Sequence, residues 1–210
     1  MANRSDIRTR VRDYLYEVST VPSTVKLWTD DQLNRLISEE ILSLSKKNIY
    51  LEEFWTTTYV PAQLDYTLPT GTIEVEGVEY NAGTAANPEW IALKGWHVYA
   101  GALNFTKDLA YAWSIRIKIR KAYANISDDS TATDIPDARL EVVVLGTAKR
   151  ATRMILSYFI NTKNWDTVAK PDGVSLNQIS NMYQVISRDY KEAVNEEKET
   201  PKPRDIDLVG

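Results

Sequence analysis

The sequence predicts an α+β fold: a mainly helical bundle of about four helices, an inserted antiparallel β region and an extended C-terminal arm. Three observations carry that expectation. Apolar residues recur at helical spacing in the first fifty residues and again after residue 136. Between these blocks the period drops to two, with Ile115, Ile117 and Ile119 alternating with Arg116, Lys118 and Arg120. From Asn195 the chain turns polar and gains prolines, a composition that cannot bury a core. Helices and strands in separate blocks point to α+β rather than to an alternating parallel sheet.

The first helix is expected over about 6–18, where Ile7, Val11, Leu15 and Val18 share one face and Arg4, Arg8 and Arg12 another. Val21-Pro22-Ser23 stops it. A second helix, about 29–47, opens on Thr29 and Gln32, a T-x-x-Q capping box, with Asp30 and Asp31 in its electropositive first turn. Leu33, Leu36, Ile37, Ile41 and Leu44 form its apolar stripe, Lys46 and Lys47 suit its C-terminus, and Asn48 can leave it.

The β insert is expected over about 54–121. Phe54 to Val60 is β-branched and aromatic and is ended by Pro61. Gln63 to Leu68 is a second short strand, Ile73, Val75 and Val78 continue extended chain, and Asn81-Ala82-Gly83 and Asn87-Pro88 mark loops. Trp90–Leu93 and Trp96–Leu103 read as two strands around Gly95, and Ser114–Lys121 is the clearest strand of all. After a polar loop, a third helix is expected over about 136–160, with Pro136 in its first turn and Leu140, Val144, Ala148, Ala151, Ile155 and Phe159 along one face. A fourth, about 175–195, opens on a Ser175/Gln178 capping box and carries Ile179, Met182, Tyr183, Ile186 and Tyr190. Residues 1–195 then form the main domain and 196–210 the arm.

Composition narrows the chemistry. The chain has 210 residues and no cysteine, so disulfides, thiolate metal sites and cysteine nucleophiles are excluded. Its one histidine, His97, rules out a multi-histidine metal site. The net charge of −4 disfavours a general nucleic-acid binder. The polar start, Met1 to Ser5, does not read as a signal peptide, and no run approaches the ~20 apolar residues of a membrane span. Six Trp and twelve Tyr against three Phe favour rings with a polar edge, suited to partly buried interfaces.

Neither phosphate-binding glycine motif nor a nucleophile elbow is present. The acid pairs Asp30/Asp31, Glu39/Glu40 and Glu52/Glu53 are adjacent in sequence and therefore diverge. Asp128, Asp129, Ser130 and Asp134 only loosely resemble a cation loop, and they lack the calcium spacing. No catalytic residue, cofactor or metal is expected, and no enzymatic activity. The candidate subunit or partner contacts are two basic stripes, Arg4, Arg8, Arg12 and Arg116, Lys118, Arg120; each either meets an acidic partner or DNA, or simply keeps one face wet. The arm is the third candidate. After Pro201, Pro203 and Arg204 it regains apolar residues at Ile206, Leu208 and Val209, as does a segment that adds a strand to another sheet, although a disordered tail is the alternative.

Several stretches share a family's order. Trp28-Thr29-Asp30-Asp31-Gln32-Leu33 opens a helix of the kind L-x-x-L-I-x-E-E. Tyr66-Thr67-Leu68-Pro69 closes a strand, Ile73 to Tyr80 continues it, Leu140 to Ile160 is a long alanine-bearing helix, and Tyr190-Lys191-Glu192-Ala193 closes the last one. Over about residues 3–195 this arrangement resembles the head-to-tail adaptor (connector) proteins of tailed bacteriophages, of the tail tubular protein A type. The resemblance implies a virion structural protein of the phage neck, made in the host cytoplasm. It implies a homo-oligomeric, twelvefold ring beneath the portal protein that joins head to tail around the channel of DNA ejection. Partners would be the portal, tail or neck proteins, and genomic DNA passing without sequence-specific binding. The arm would dock on the portal or a neighbouring subunit. Two alternatives stay open: another neck or tail-completion protein, and a small β-rich carbohydrate- or nucleic-acid-binding module using Trp90, Trp96 and Trp113 as stacking platforms.

Overall fold

Among the described residues four α-helices and seven strands follow one another as two helices, seven strands and two helices, an α+β order. The computed structural model describes residues 2–18, 28–108, 112–161 and 176–199. The chain divides into two units, a helical one (Met1–Ile49 with Ala124–Gly210) and a β one (Tyr50–Tyr123).

The helical unit contains α1 (Arg4–Val18), α2 (Asp30–Leu44), α3 (Asp137–Asn161) and α4 (Leu176–Glu199). α1 starts two residues before the expected Asp6. Asn3 and Asp6 cap it reciprocally, the Asp6 N–H donating to Asn3 Oδ1 (2.9 Å) and the Asn3 N–H to Asp6 Oδ2 (3.0 Å). The Thr29/Gln32 box opens α2, with the Gln32 N–H on Thr29 Oγ1 at 3.2 Å and the Thr29 N–H on Gln32 Oε1 at 2.9 Å. A 3-10 turn, Ser45–Lys47, tightens its end, and Asn48 leaves it in the left-handed region at φ 61°. Pro136 sits one residue before α3, where its carbonyl accepts from the Arg139 and Leu140 N–H groups.

α3 packs on α1, α2 and α4. It is therefore buried all round from Val142 to Ala148, and not along the single expected stripe. α4 keeps one stripe, Ile179, Met182, Ile186, Tyr190 and Val194. It also runs further than expected. Residues 196–199, assigned above to the arm, are helical, because Glu197 receives Arg139 Nε at 2.8 Å and Glu and Lys are good helix formers. The remainder of the arm, 200–210, lies outside the described residues, as do Val21-Pro22-Ser23, Ser175 of the second capping box and the Phe159 side chain.

The β unit holds β1 (Leu51–Thr58), β2 (Asp65–Thr67), β3 (Thr72–Asn81), β4 (Trp90–Ala92), β5 (Trp96–Tyr99), β6 (Ala102–Phe105) and β7 (Ser114–Lys121). They form two antiparallel sheets, in the orders β1-β7-β3-β4 and β2-β6-β5. The expected strand Trp96–Leu103 is a hairpin instead: Ala100 (φ 49°) and Gly101 (φ 77°) make a two-residue turn between paired Tyr99 and Ala102. Ile115, Ile117 and Ile119 of β7 join Val78, Leu103, Phe105, Tyr59 and Tyr66 in one core. Phe105 meets Tyr59 and Tyr66 edge-on, with centroids 5.3 and 5.7 Å away, and the buried Tyr59 hydroxyl donates to Asp108 at 2.6 Å.

β3 departs from regular pairing with β7 at two places, between Thr72 and Glu74 and between Val75 and Gly77. These irregularities decide its faces. Val75 and Val78 both pack on the core although they lie three residues apart, and Glu74, Glu76 and Glu79 all reach the basic side chains of β7.

Candidate functional site

Both basic stripes find their acids within the chain. Arg4 Nε donates to Asp129 Oδ1 at 2.8 Å and Arg4 Nη1 to the Ser127 carbonyl at 2.9 Å. Arg8 bonds Asp129 and Asn34, and Arg12 Nη2 meets Asp30 Oδ1 at 2.5 Å and the Trp28 carbonyl at 3.1 Å. The stripe thus pins α1 to the start of α2 and to the loop before α3. Asp129, held by Arg8 and then Arg4, stays ionised below the usual carboxylate range. Asp128 also sits well below that range, because its oxygens accept from the Thr131 hydroxyl and then from Ser130 and both backbone N–H groups. The loop is organised by its own hydroxyls and by two arginines. Among the described residues no group of three metal-ligating side chains occurs.

The second stripe faces outward from the four-stranded sheet. Arg116 pairs with Glu79 (2.5 Å), Lys118 with Glu76 (3.1 Å), and Arg120 with Glu74 (3.0 Å), Glu76 and Glu52. Three cations thus meet four carboxylates, leaving no excess positive charge on this face. The Arg116 guanidinium also lies 4.4 Å from the ring centres of both Phe54 and Trp90. The Trp faces are occupied likewise: Trp113 stacks on Tyr80 at 4.3 Å, and Trp96 packs on the core with Nε1 donating to the Leu93 carbonyl. His97 is exposed on β5.

Two features stand apart among the described residues, one an uncovered strand edge and the other a buried charge cluster. In the β unit, the edge strand β5 turns Val98 and Tyr99 outward, Tyr99 being 73% exposed. Beside it lies a cavity of about 650 Å³ between Leu68, Ile73, Val75, Trp96 and Val98. An uncovered edge next to apolar side chains is a template for another chain.

The other feature is in the helical unit. Glu40, on the buried stripe of α2, is 2% exposed at its side chain. Its Oε2 accepts from Arg150 Nε at 2.7 Å, and its Oε1 accepts from Lys47 Nζ and, at 2.8 Å, from the Tyr190 hydroxyl. Burial pushes the Tyr190 hydroxyl well above its ordinary pKa, and the Glu40 charge adds to the shift. Gly146 of α3 leaves the space in which Glu40 sits. In the sequence Glu40 stands only as one of an adjacent acid pair, Lys47 as a helix-end cation and Tyr190 as part of an apolar stripe, and nothing there joins them. Two signals were legible: Glu40 continues the 33, 36, 37, 41, 44 apolar stripe of α2, and a glycine stands inside α3. No protein-family profile matches the chain, and none of the curated proteins matches it. Among the described residues no helix is long and apolar enough to cross a membrane.

Proposed function

We propose that the chain is a head-to-tail adaptor of a tailed phage: a ring-forming virion protein beneath the portal, surrounding the DNA channel. The observation that carries this reading is how the surface is spent. The Arg116, Lys118, Arg120 stripe is neutralised inside the chain and the Arg4, Arg8, Arg12 stripe is bonded to Asp129 and Asp30, while among the described residues the β unit leaves an apolar edge uncovered. Such a surface favours protein neighbours over nucleic acid, and cyclic rings need two unlike, complementary faces on each subunit. The order of two helices, β insert and two helices supports the same reading through the resemblance. A net-acidic ring would let DNA slide without adhering.

The test mixes the purified chain with a portal ring from the same genome and measures co-sedimentation. The full chain is expected to bind at one copy per portal subunit. A chain ending at Glu199 is expected to stay folded, because α4 and its Arg139–Glu197 pair are kept, but to lose attachment. Equal attachment of both would remove the arm from the mechanism. Attachment of neither, with binding to tail proteins, would move the chain elsewhere in the neck.

A further inference from the structure

Around one cavity of the helical unit, cations outnumber carboxylates among the described residues. A cavity of about 230 Å³ is lined by Lys47, from the turn after α2, by Lys149, Arg150 and Arg153 of α3, and by Glu40 and Tyr190. Both Glu40 oxygens are already taken by Lys47, Arg150 and the Tyr190 hydroxyl. Glu39 lies 3.7 Å from Arg150 Nη1 but also faces Arg35 at 3.9 Å. Among the described residues four cations around the cavity therefore meet two carboxylates. Among the described residues neither Lys149 nor Arg153 is paired with a carboxylate; the Lys149 ammonium lies 4.8 Å from the Tyr190 ring centre, and Arg153 is exposed.

At Lys47 the pKa is lowered mainly by burial; Glu40 pulls it back up, and repulsion from Arg150 and Lys149 adds a smaller lowering. An incoming anion would relieve that repulsion. The donors converge from α3 and from the end of α2, and include two arginine forks that suit an oxyanion with several lone pairs. The volume holds one phosphate group with a few waters, each taking about 30 Å³.

The geometry points to a phosphate-binding site in the helical unit, in which Lys149, Arg153 and the free edge of Arg150 hold the oxyanion while Glu40 fixes Lys47 and Arg150 beneath it. The phosphate is either a free one, inorganic or on a nucleotide, or one of a nucleic-acid backbone. The inference does not depend on the adaptor reading, since any chain with this helical unit would carry the site.

The test uses the full chain. Binding of inorganic pyrophosphate is measured by titration calorimetry at constant ionic strength, and binding of a short duplex DNA by fluorescence anisotropy. The variant is K149A/R153A, which leaves the Glu40 contacts intact. The control is K94A/K107A, which removes the same charge from exposed positions of the β unit. Pyrophosphate is expected to bind wild type and control alike and the double variant roughly tenfold or more weakly, as two charge-assisted hydrogen bonds are lost. If DNA binding falls in parallel, the backbone is the source of the phosphate; if DNA binding is absent or unchanged while pyrophosphate binding falls, free phosphate is. No saturable pyrophosphate binding by wild type, or equal binding by K149A/R153A, overturns the site.

Discussion

Replacing Gly146 with alanine should destabilise the helical unit, against the usual direction of that exchange. In an unobstructed helix interior, Gly→Ala gains about 1 kcal/mol. At position 146 an added Cβ would overlap the Glu40 carboxyl group. Glu40 cannot withdraw without leaving Lys47, Arg150 and Tyr190, which hold both of its oxygens. Breaking a buried ion pair costs about 3–5 kcal/mol. The low end applies here, because Lys47 and Arg150 keep 22% and 38% of their side-chain surface exposed and can rehydrate. Offsetting that with the helix gain leaves a net loss of about 2 kcal/mol. Urea unfolding followed by circular dichroism at the helix band reads this unit, since all four helices belong to it. The decisive comparison is a cycle with Glu40→Ala. In that background the obstacle is gone, and Gly146→Ala should turn stabilising, by up to about 1 kcal/mol. The coupling would then be about 3 kcal/mol, far beyond the few tenths seen for independent sites. If Gly146→Ala stabilises the wild-type chain, or costs the same with and without Glu40, the glycine is not there to seat the carboxylate.

Other outcomes follow from the same contacts. Arg116→Ala should lower the stability of the β unit by about 1–2 kcal/mol, from two exposed cation–π contacts and one surface ion pair, as read by near-UV dichroism. Ala100→Gly should raise it by roughly 1 kcal/mol, because Ala100 holds a left-handed φ of 49°; a lower denaturation midpoint would contradict the turn. At high pH, Tyr14, raised by burial and by its bond to Asp189, and Tyr190, raised by burial and Glu40, keep protons that the unfolded chain loses. Their contribution is complete below about pH 10 and fades above it, so urea midpoints should fall there, and less steeply in Tyr14→Phe/Tyr190→Phe. Lys47, whose pKa is lowered by burial, works in the opposite direction just below its ordinary value. The Thr131 amide resonance should hold its position as acid is added until well below the ordinary aspartate range, and Asp128→Asn should move it at neutral pH.

What the sequence made legible is what depends on neighbours close along the chain. β7 is a strict alternation, so its bounds and its core face could be read at sight. The Thr29/Gln32 box spans four residues and was equally readable. The Asn3/Asp6 cap uses the same chemistry, but it lies at the foot of the arginine stripe that begins at Arg4. The Ala100–Gly101 turn carries half a signature: Gly101 marks it, but nothing in an alanine announces a positive φ. The period of α3 tells which face is most apolar, not how many neighbours the helix will have, so it predicts one stripe where three helices pack. The end of α4 was misplaced because Arg139, which holds Glu197, is 58 residues away.

The basic stripes expose the deeper limit. Periodicity showed that Arg116, Lys118 and Arg120 share a face, and that alone invites an external partner. What stands opposite them is set by a change of parity in β3. With regular alternation, Glu74 and Glu76 would face β7's cations, Glu79 would point to the core and Val78 would be left outside. The irregularity between Val75 and Gly77 reverses this, and Val78 packs inward while Glu79 reaches Arg116. The odd interval between Val75 and Val78, with Gly77 inside it, is its trace in the sequence. Once the carboxylates are in place, a stripe that looked like an interface becomes a neutral sheet face. Among the described residues, cations without a carboxylate partner also sit where no stripe is visible, on Lys149 and Arg153, beside a glutamate set in an apolar row. A cationic pattern in a sequence is therefore evidence of a partner only after the acids that the fold brings to it have been subtracted.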